Sequence, residues 1–131
     1  IEFYKNLAKQ LGIESRVFFV GARNDVDDFY TISDIFLFPT HYEPFGNVIL
    51  EAMNFNNAVF TTNQCGGGEL LSKEFIMQNS EDFSVVGKID ALLKDDESLK
   101  RIQEDNRIKS QRYSIDKNLE LTLNVIDEVI N

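Results

Sequence analysis

Ile35-Phe36-Leu37-Phe38 is a run of four apolar residues stopped by Pro39, and no other feature limits the fold as much. A strand whose consecutive residues are all apolar has no solvent face, so it must be covered on both sides. Val17-Phe18-Phe19-Val20, ending at Gly21, and Ala58-Val59-Phe60-Thr61-Thr62 share this character. Elsewhere the apolar residues fall at helical spacing. Phe3, Leu7, Ala8 and Leu11 predict a helix over 2–11, closed by Gly12 as a C-cap. Asn24 or Asp25 is expected to cap a second helix that buries Val26, Phe29, Tyr30 and Ile32, and Ser33-Asp34 ends it. A third helix is expected from about Gly46 to Phe55, followed by a turn at Asn56 and Asn57, since Asn tolerates the left-handed conformation. Residues 64–68 read as a loop, 69–72 as the start of a short helix, and Phe75-Ile76-Met77 as a small last strand.

From about residue 81 the pattern is helical alone. Phe83, Val86, Ile89, Leu92 and Leu93 form one stripe. Leu99, Ile102 and Ile108 form a second, and Ile115, Leu119, Leu123, Ile126 and Ile130 a third. Alternating strands and helices imply an α/β chain with a parallel sheet over 1–80 and a helical tail over 81–131. The chain opens on Ile1 inside a helical pattern, so it reads as a piece of a longer protein. A net charge of −9 argues against a nucleic-acid surface, which rests on Lys and Arg. The single cysteine, Cys65, excludes an internal disulfide and fits a reducing compartment. No apolar run approaches the ~18 residues of a membrane span, and no signal peptide is visible.

Chemistry concentrates in residues 39–53. The strand ends at Pro39, a helix leaves near Gly46, and Glu43 and Glu51 bracket the turn. A helix N-terminus offers unpaired amides and partial positive charge, a natural seat for an anion. Eight residues advance about 80° past two full helical turns. Glu51 leans back toward the helix start, so both carboxylates reach one cleft. The stretch therefore suits a ligand that is both phosphorylated and polyhydroxylated, such as a nucleotide sugar. Two solvated surface glutamates remain the bland alternative, and Gly46 could serve the turn alone. From Asn24 through Ser72 there is no Lys or Arg, so cations for a diphosphate must come from elsewhere.

Arg23 projects toward the same sheet edge, where its flat guanidinium could stack on a nucleobase or simply pair with Asp25. Gly66-Gly67-Gly68 lies past another strand end and reads as a flexible turn rather than a dinucleotide fingerprint. Cys65 reads as a packed residue. His41, the one histidine, reads as a loop hydrogen-bonder. No cluster suggests a metal site.

At these residues the chain resembles the retaining glycosyltransferases of the GT-B fold, family four, the group one glycosyl transferases. The resemblance runs through Val17-Phe18-Phe19-Val20-Gly21, Tyr30, and residues 33–40. It continues through Glu43-Pro44-Phe45-Gly46-Asn47-Val48-Ile49-Leu50-Glu51-Ala52-Met53, Val59-Phe60-Thr61-Thr62 and Gly66-Gly67. It implies a Rossmann-like parallel sheet of the GT-B C-terminal domain, truncated at its N-terminal side, with a helical C-terminal tail. Glu43 would hydrogen-bond the donor sugar near the reacting face. Phe45, Gly46, Asn47 and Val48 would offer backbone amides to sugar hydroxyls and diphosphate. Glu51 would hold the ribose hydroxyls, and Arg23 would stack on the base, which favours a UDP-sugar.

No cofactor and no essential metal are expected. The acceptor, a glycan or glycolipid, would sit on a missing N-terminal domain, which would also make any peripheral membrane contact of an otherwise cytoplasmic protein. This piece alone is expected to transfer nothing. A nucleotide-sugar epimerase of the same fold and a non-catalytic nucleotide-sugar binding module are the competing readings. The chain departs from the family in having Asn56 and Ala58 where Gly and Pro are usual. In the implied strand order, 3-2-1-4-5-6, two absent strands fall between residues 17–20 and 35–38. Both of those runs would then have unpaired edges.

Overall fold

The structure, a computed structural model, describes residues 1–130; Asn131, the last residue of the expected tail, lies outside them. Its sheet has three parallel strands in the order β1 (Ile35–Phe38), β2 (Ala58–Thr62), β3 (Ile76–Met77). Ile35 pairs with Ala58 and Phe38 with Thr61, then Thr61 with Ile76 and Thr62 with Met77. Six helices accompany it: α1 (Glu2–Gln10), α2 (Val26–Ile32), α3 (Asn47–Asn54), α4 (Ser84–Leu93), α5 (Asp96–Ser110) and α6 (Ile115–Ile130). Parallel neighbours need a crossover, and α3 supplies the one between β1 and β2.

β2 is buried along its whole length, and its two faces feed two cores. Val59 joins Tyr30, Ile49, Ala52 and Met53 on one side, with Phe36 and Phe38 of β1 packed against them. Ala58 and Phe60 join Met77, Val85, Leu92 and Leu99 on the other. This is the period-two alternation of a strand covered on both faces. Ile49 and Met53 are wholly buried, and each such side chain contributes about 1.5–3 kcal/mol. The polar members of β2 are bonded across to the end of β1 and the residues after it: Thr61 Oγ1 donates to the Phe38 carbonyl at 3.0 Å and Thr62 Oγ1 to that of Thr40 at 2.8 Å.

The turn after α3 is left-handed at Asn56, φ 59°, as its Asn pair leads one to expect. Asn57 does a second job that the sequence does not announce. Wholly buried, it donates from Nδ2 to the Tyr30 carbonyl at 2.9 Å, and its own carbonyl accepts from Asn106 Nδ2 at 2.9 Å. Asn57 thus joins the end of α2 to α5 through the start of β2. Asn57→Ala leaves the Tyr30 carbonyl without this donor and is expected to destabilise the chain by about 1–3 kcal/mol in urea unfolding. A midpoint equal to that of the unaltered chain would contradict it.

Several expectations need correction. Residues 17–20 form no strand: Val17 is extended, but nothing among the described residues lies beside the run to pair with it. Phe18, Phe19 and Val20 are accordingly exposed, and so are Phe3 and Leu7 of α1, where only Ala8 is buried, and Leu11 just past its end. On α2, Tyr30 is buried and Phe29 partly so, while Val26 and Ile32 face outward. The short helical turn after β2 begins at Gly66 and ends at Leu70, earlier than expected, with a second at Lys73–Phe75. On α4 the buried line is Val85, Ile89 and Leu92, at the i, i+4, i+7 spacing of one helix face, and Phe83, Val86 and Leu93 lie off it. Leu99 and Ile102 pack as expected, whereas Ile108 is exposed. The third stripe sits on one helix, α6, none of whose residues is buried.

Candidate functional site

The site turn follows β1 and is bonded to the segment after β2. Glu43 N–H donates to the Gln64 carbonyl at 3.0 Å, and Gly66 N–H donates to the Glu43 carbonyl at 2.9 Å. Together they form a parallel bridge between Glu43 and Cys65. One residue pair further on, Gly67 N–H donates to the Phe45 carbonyl, which also accepts from Cys65 Sγ at 3.4 Å. The approach is close enough to require glycine. A Cβ on Gly66 would lie 2.0 Å from the Pro44 oxygen, and one on Gly67 2.6 Å from the Phe45 oxygen. Gly66-Gly67 is therefore no flexible turn. It is a backbone-to-backbone contact that fixes the Glu43 turn, and Cys65 is the packed residue expected of it.

Gly46 opens α3 in the left-handed region, φ 80°, and its carbonyl accepts the Ile49 N–H at 2.9 Å. No side chain caps this helix start. A Cβ on Gly46 would stand 3.0 Å from Glu43 Cγ, so the stem of Glu43 lies directly against the glycine. Five of the predicted residues thus share one corner: Glu43, Phe45, Gly46, Asn47 and Val48. Glu43, Phe45 and Val48 are half-buried, Gly46 is buried and Asn47 is exposed.

Glu51 lies in the second turn of α3 with an exposed side chain. Its carboxylate accepts from the Tyr30 hydroxyl at 3.2 Å. Burial, together with the negative charge of Glu51, pushes the Tyr30 hydroxyl up to about 12. It remains a protonated donor at any physiological pH, and the contribution to stability is lost only as pH rises from about 10 through that value. Tyr30 reads in sequence as a core residue, and 21 positions separate it from Glu51, so no local spacing announces the contact.

Arg23 stands apart from this corner, ahead of α2. Its Nε and Nη2 donate to the two oxygens of Asp25 at 2.7 and 2.6 Å, and its guanidinium carbon lies 5.3 Å from the Phe29 ring centre. The hydrogen bond to Asp25 raises Arg23 above its ordinary pKa and lowers Asp25 below the usual carboxylate range. The pairing takes up the carboxylate that would otherwise cap α2, which has no side-chain cap. His41 is a loop hydrogen-bonder: its Nδ1 lies 3.0 Å from Ser80 Oγ and joins the loops after β1 and β3.

Sequence spacing also fails to show what approaches from the C-terminal helices. A cavity of about 270 Å³ lies beside the start of α3, lined by Phe45, Asn47 and Leu50 and, from the α5–α6 corner, by Arg112, Ile115 and Lys117. Lys117 is paired with Glu120 at 2.7 Å. Among the described residues no helix is long and apolar enough to cross a membrane.

A family model described as "Glycosyl transferases group 1" matches residues 2–109. An uncharacterized glycosyltransferase of Haemophilus influenzae is 31% identical over 123 residues, 91% of this chain and 35% of that protein. The lipopolysaccharide glucosyltransferase WaaG of Escherichia coli is 40% identical over 63 residues, 48% of this chain and 17% of that protein. The chain thus spans about a third or less of the length of these relatives. The crystal structure of Anabaena HepE in complex with UDP superposes with a TM-score of 0.84 at 25% identity, covering 96% of this chain and 36% of that one.

Proposed function

The chain belongs to the group 1 glycosyl transferases, and on that footing we propose that it forms the donor-binding part of a retaining glycosyltransferase. Such an enzyme moves a hexose from a nucleotide sugar to a glycan or glycolipid acceptor. The observation that carries this reading is the stem of Glu43 lying against Gly46 at the uncapped start of α3, with Glu51 in the second turn of the same helix. The amides of the first turn of α3 receive the diphosphate, and its partial positive charge favours that anion. Glu43 hydrogen-bonds the sugar close to the reacting carbon. Glu51 accepts from the ribose hydroxyls. The guanidinium of Arg23, its edge held by Asp25, stacks on the base.

In the transfer step the bond from the anomeric carbon to the diphosphate oxygen breaks and the bond to the acceptor oxygen forms on the same face. The acceptor proton passes to the departing diphosphate. Stabilising the charge that develops on that diphosphate is then the protein's main contribution. Neither a cofactor nor a metal takes part. Uridine is favoured because HepE carries UDP in one crystal structure and UDP-glucose in another. A glycolipid acceptor is favoured by the likeness to WaaG.

Calorimetric titration tests the reading. UDP is expected to bind the full-length enzyme saturably, and Glu51→Ala to weaken it about 10–100-fold, as for one lost hydrogen bond to a charged group. Equal UDP affinity in the altered and unaltered proteins refutes the assignment of Glu51 to the ribose.

A further inference from the structure

We infer that Tyr30 is a positioning residue for Glu51, its hydroxyl holding the carboxylate in the orientation that receives the ribose. The inference rests on the assignment of Glu51 made above. Glu51 is exposed and stands on a helix face, where a free glutamate samples several rotamers. Among the described residues its one hydrogen bond to another side chain is the 3.2 Å bond from Tyr30, so that hydroxyl selects among them.

The donor is itself fixed from several directions. Tyr30 is 6% exposed, its ring packed edge-on against Phe36 at 5.6 Å and stacked on Phe55 at 5.8 Å between ring centres. The Tyr30 carbonyl is held by Asn57, and Asn57 by Asn106 of α5. Residues from β1, α5 and the segment joining α3 to β2 therefore anchor one hydroxyl that emerges at an exposed carboxylate. Removing that hydroxyl leaves the ring packing in place. It frees the carboxylate to turn, so that ordering it becomes part of the cost of binding.

The experiment compares UDP with 2′,3′-dideoxy-UDP on the full-length enzyme, the second ligand lacking the groups that Glu51 receives. In Tyr30→Phe, UDP affinity is expected to fall about 3–10-fold while 2′,3′-dideoxy-UDP binds as before, so the preference for the ribose shrinks. In Tyr30→Phe/Glu51→Ala, UDP affinity should match that of Glu51→Ala alone. Glu51→Asp draws the carboxylate back from Tyr30 and from the ribose alike without touching the core, so it is expected to lose the same preference and checks the assignment of Glu51. Equal weakening of both ligands in Tyr30→Phe indicates a merely structural hydroxyl and overturns the inference. So does an unchanged preference in a folded Tyr30→Phe, whatever Glu51→Asp does. If Glu51→Ala itself keeps the full preference, the ribose assignment fails first, and that result is distinct from the failure of Tyr30 alone.

Discussion

Gly66→Ala is expected to destabilise the chain by about 3 kcal/mol or more, a fall in Tm of roughly 10 °C, and to abolish nucleotide-sugar binding with it. The new methyl would sit 2.0 Å from the Pro44 oxygen and 2.9 Å from its carbonyl carbon. These are backbone atoms, so no rotamer change relieves the clash, and the two segments must separate. Separation breaks the Gly66-to-Glu43 and Gly67-to-Phe45 hydrogen bonds together. It also lifts Glu43 from its place against Gly46. Gly87→Ala provides the contrast: nothing lies within 4 Å of its Cβ, and it sits inside α4. There alanine is expected to be neutral or to stabilise by up to ~1 kcal/mol. Thermal unfolding of both variants checks the pair, and an unaltered Tm in Gly66→Ala would show that the contact is not the constraint described.

Glu43→Gln is expected to lower kcat by about 10²–10³ in a transfer assay on the full-length enzyme while leaving UDP affinity within a few-fold. The split follows from geometry. Among the described residues the bonds that anchor Glu43 are main-chain bonds, so the turn keeps its shape when the carboxylate becomes an amide. What changes is the charge that Glu43 presents to the sugar, which is proposed to lie next to the diphosphate seated at the α3 start. Stability should therefore stay within about 0.5 kcal/mol of the unaltered protein. Turnover within threefold of the unaltered enzyme would remove Glu43 from the reacting face.

Much of the fold was legible wherever a residue's local pattern decides its structure. The four apolar residues before Pro39 do form a strand, the helix does leave at Gly46, and Asn56 does take a positive φ. Residues 17–20 carry the same apolar pattern and form no strand, because a strand exists only with a neighbour and composition cannot supply one. That Glu51 falls in the second turn of the helix opened by Gly46 was legible because it depends on spacing along one helix. The Tyr30 hydroxyl, the Asn57 bridge and the tight fit of Gly66 against Pro44 were not. Each depends on segments between about 20 and 50 residues apart in sequence meeting across the sheet, and a glycine triplet looks the same whether it supplies looseness or closeness.

The bridge between Glu43 and Cys65 also bears on kinetics. Loops that close over ligands work by swinging on hinges while their ends stay put. Here the turn after β1 cannot swing alone, since its main chain is shared with the turn after β2. The two move as one plate, or one strand end must be peeled from its neighbour. This wall of the site behaves as an anvil. On the proposed function, the speed at which a nucleotide enters and leaves is then expected to be set by motion elsewhere than in this wall.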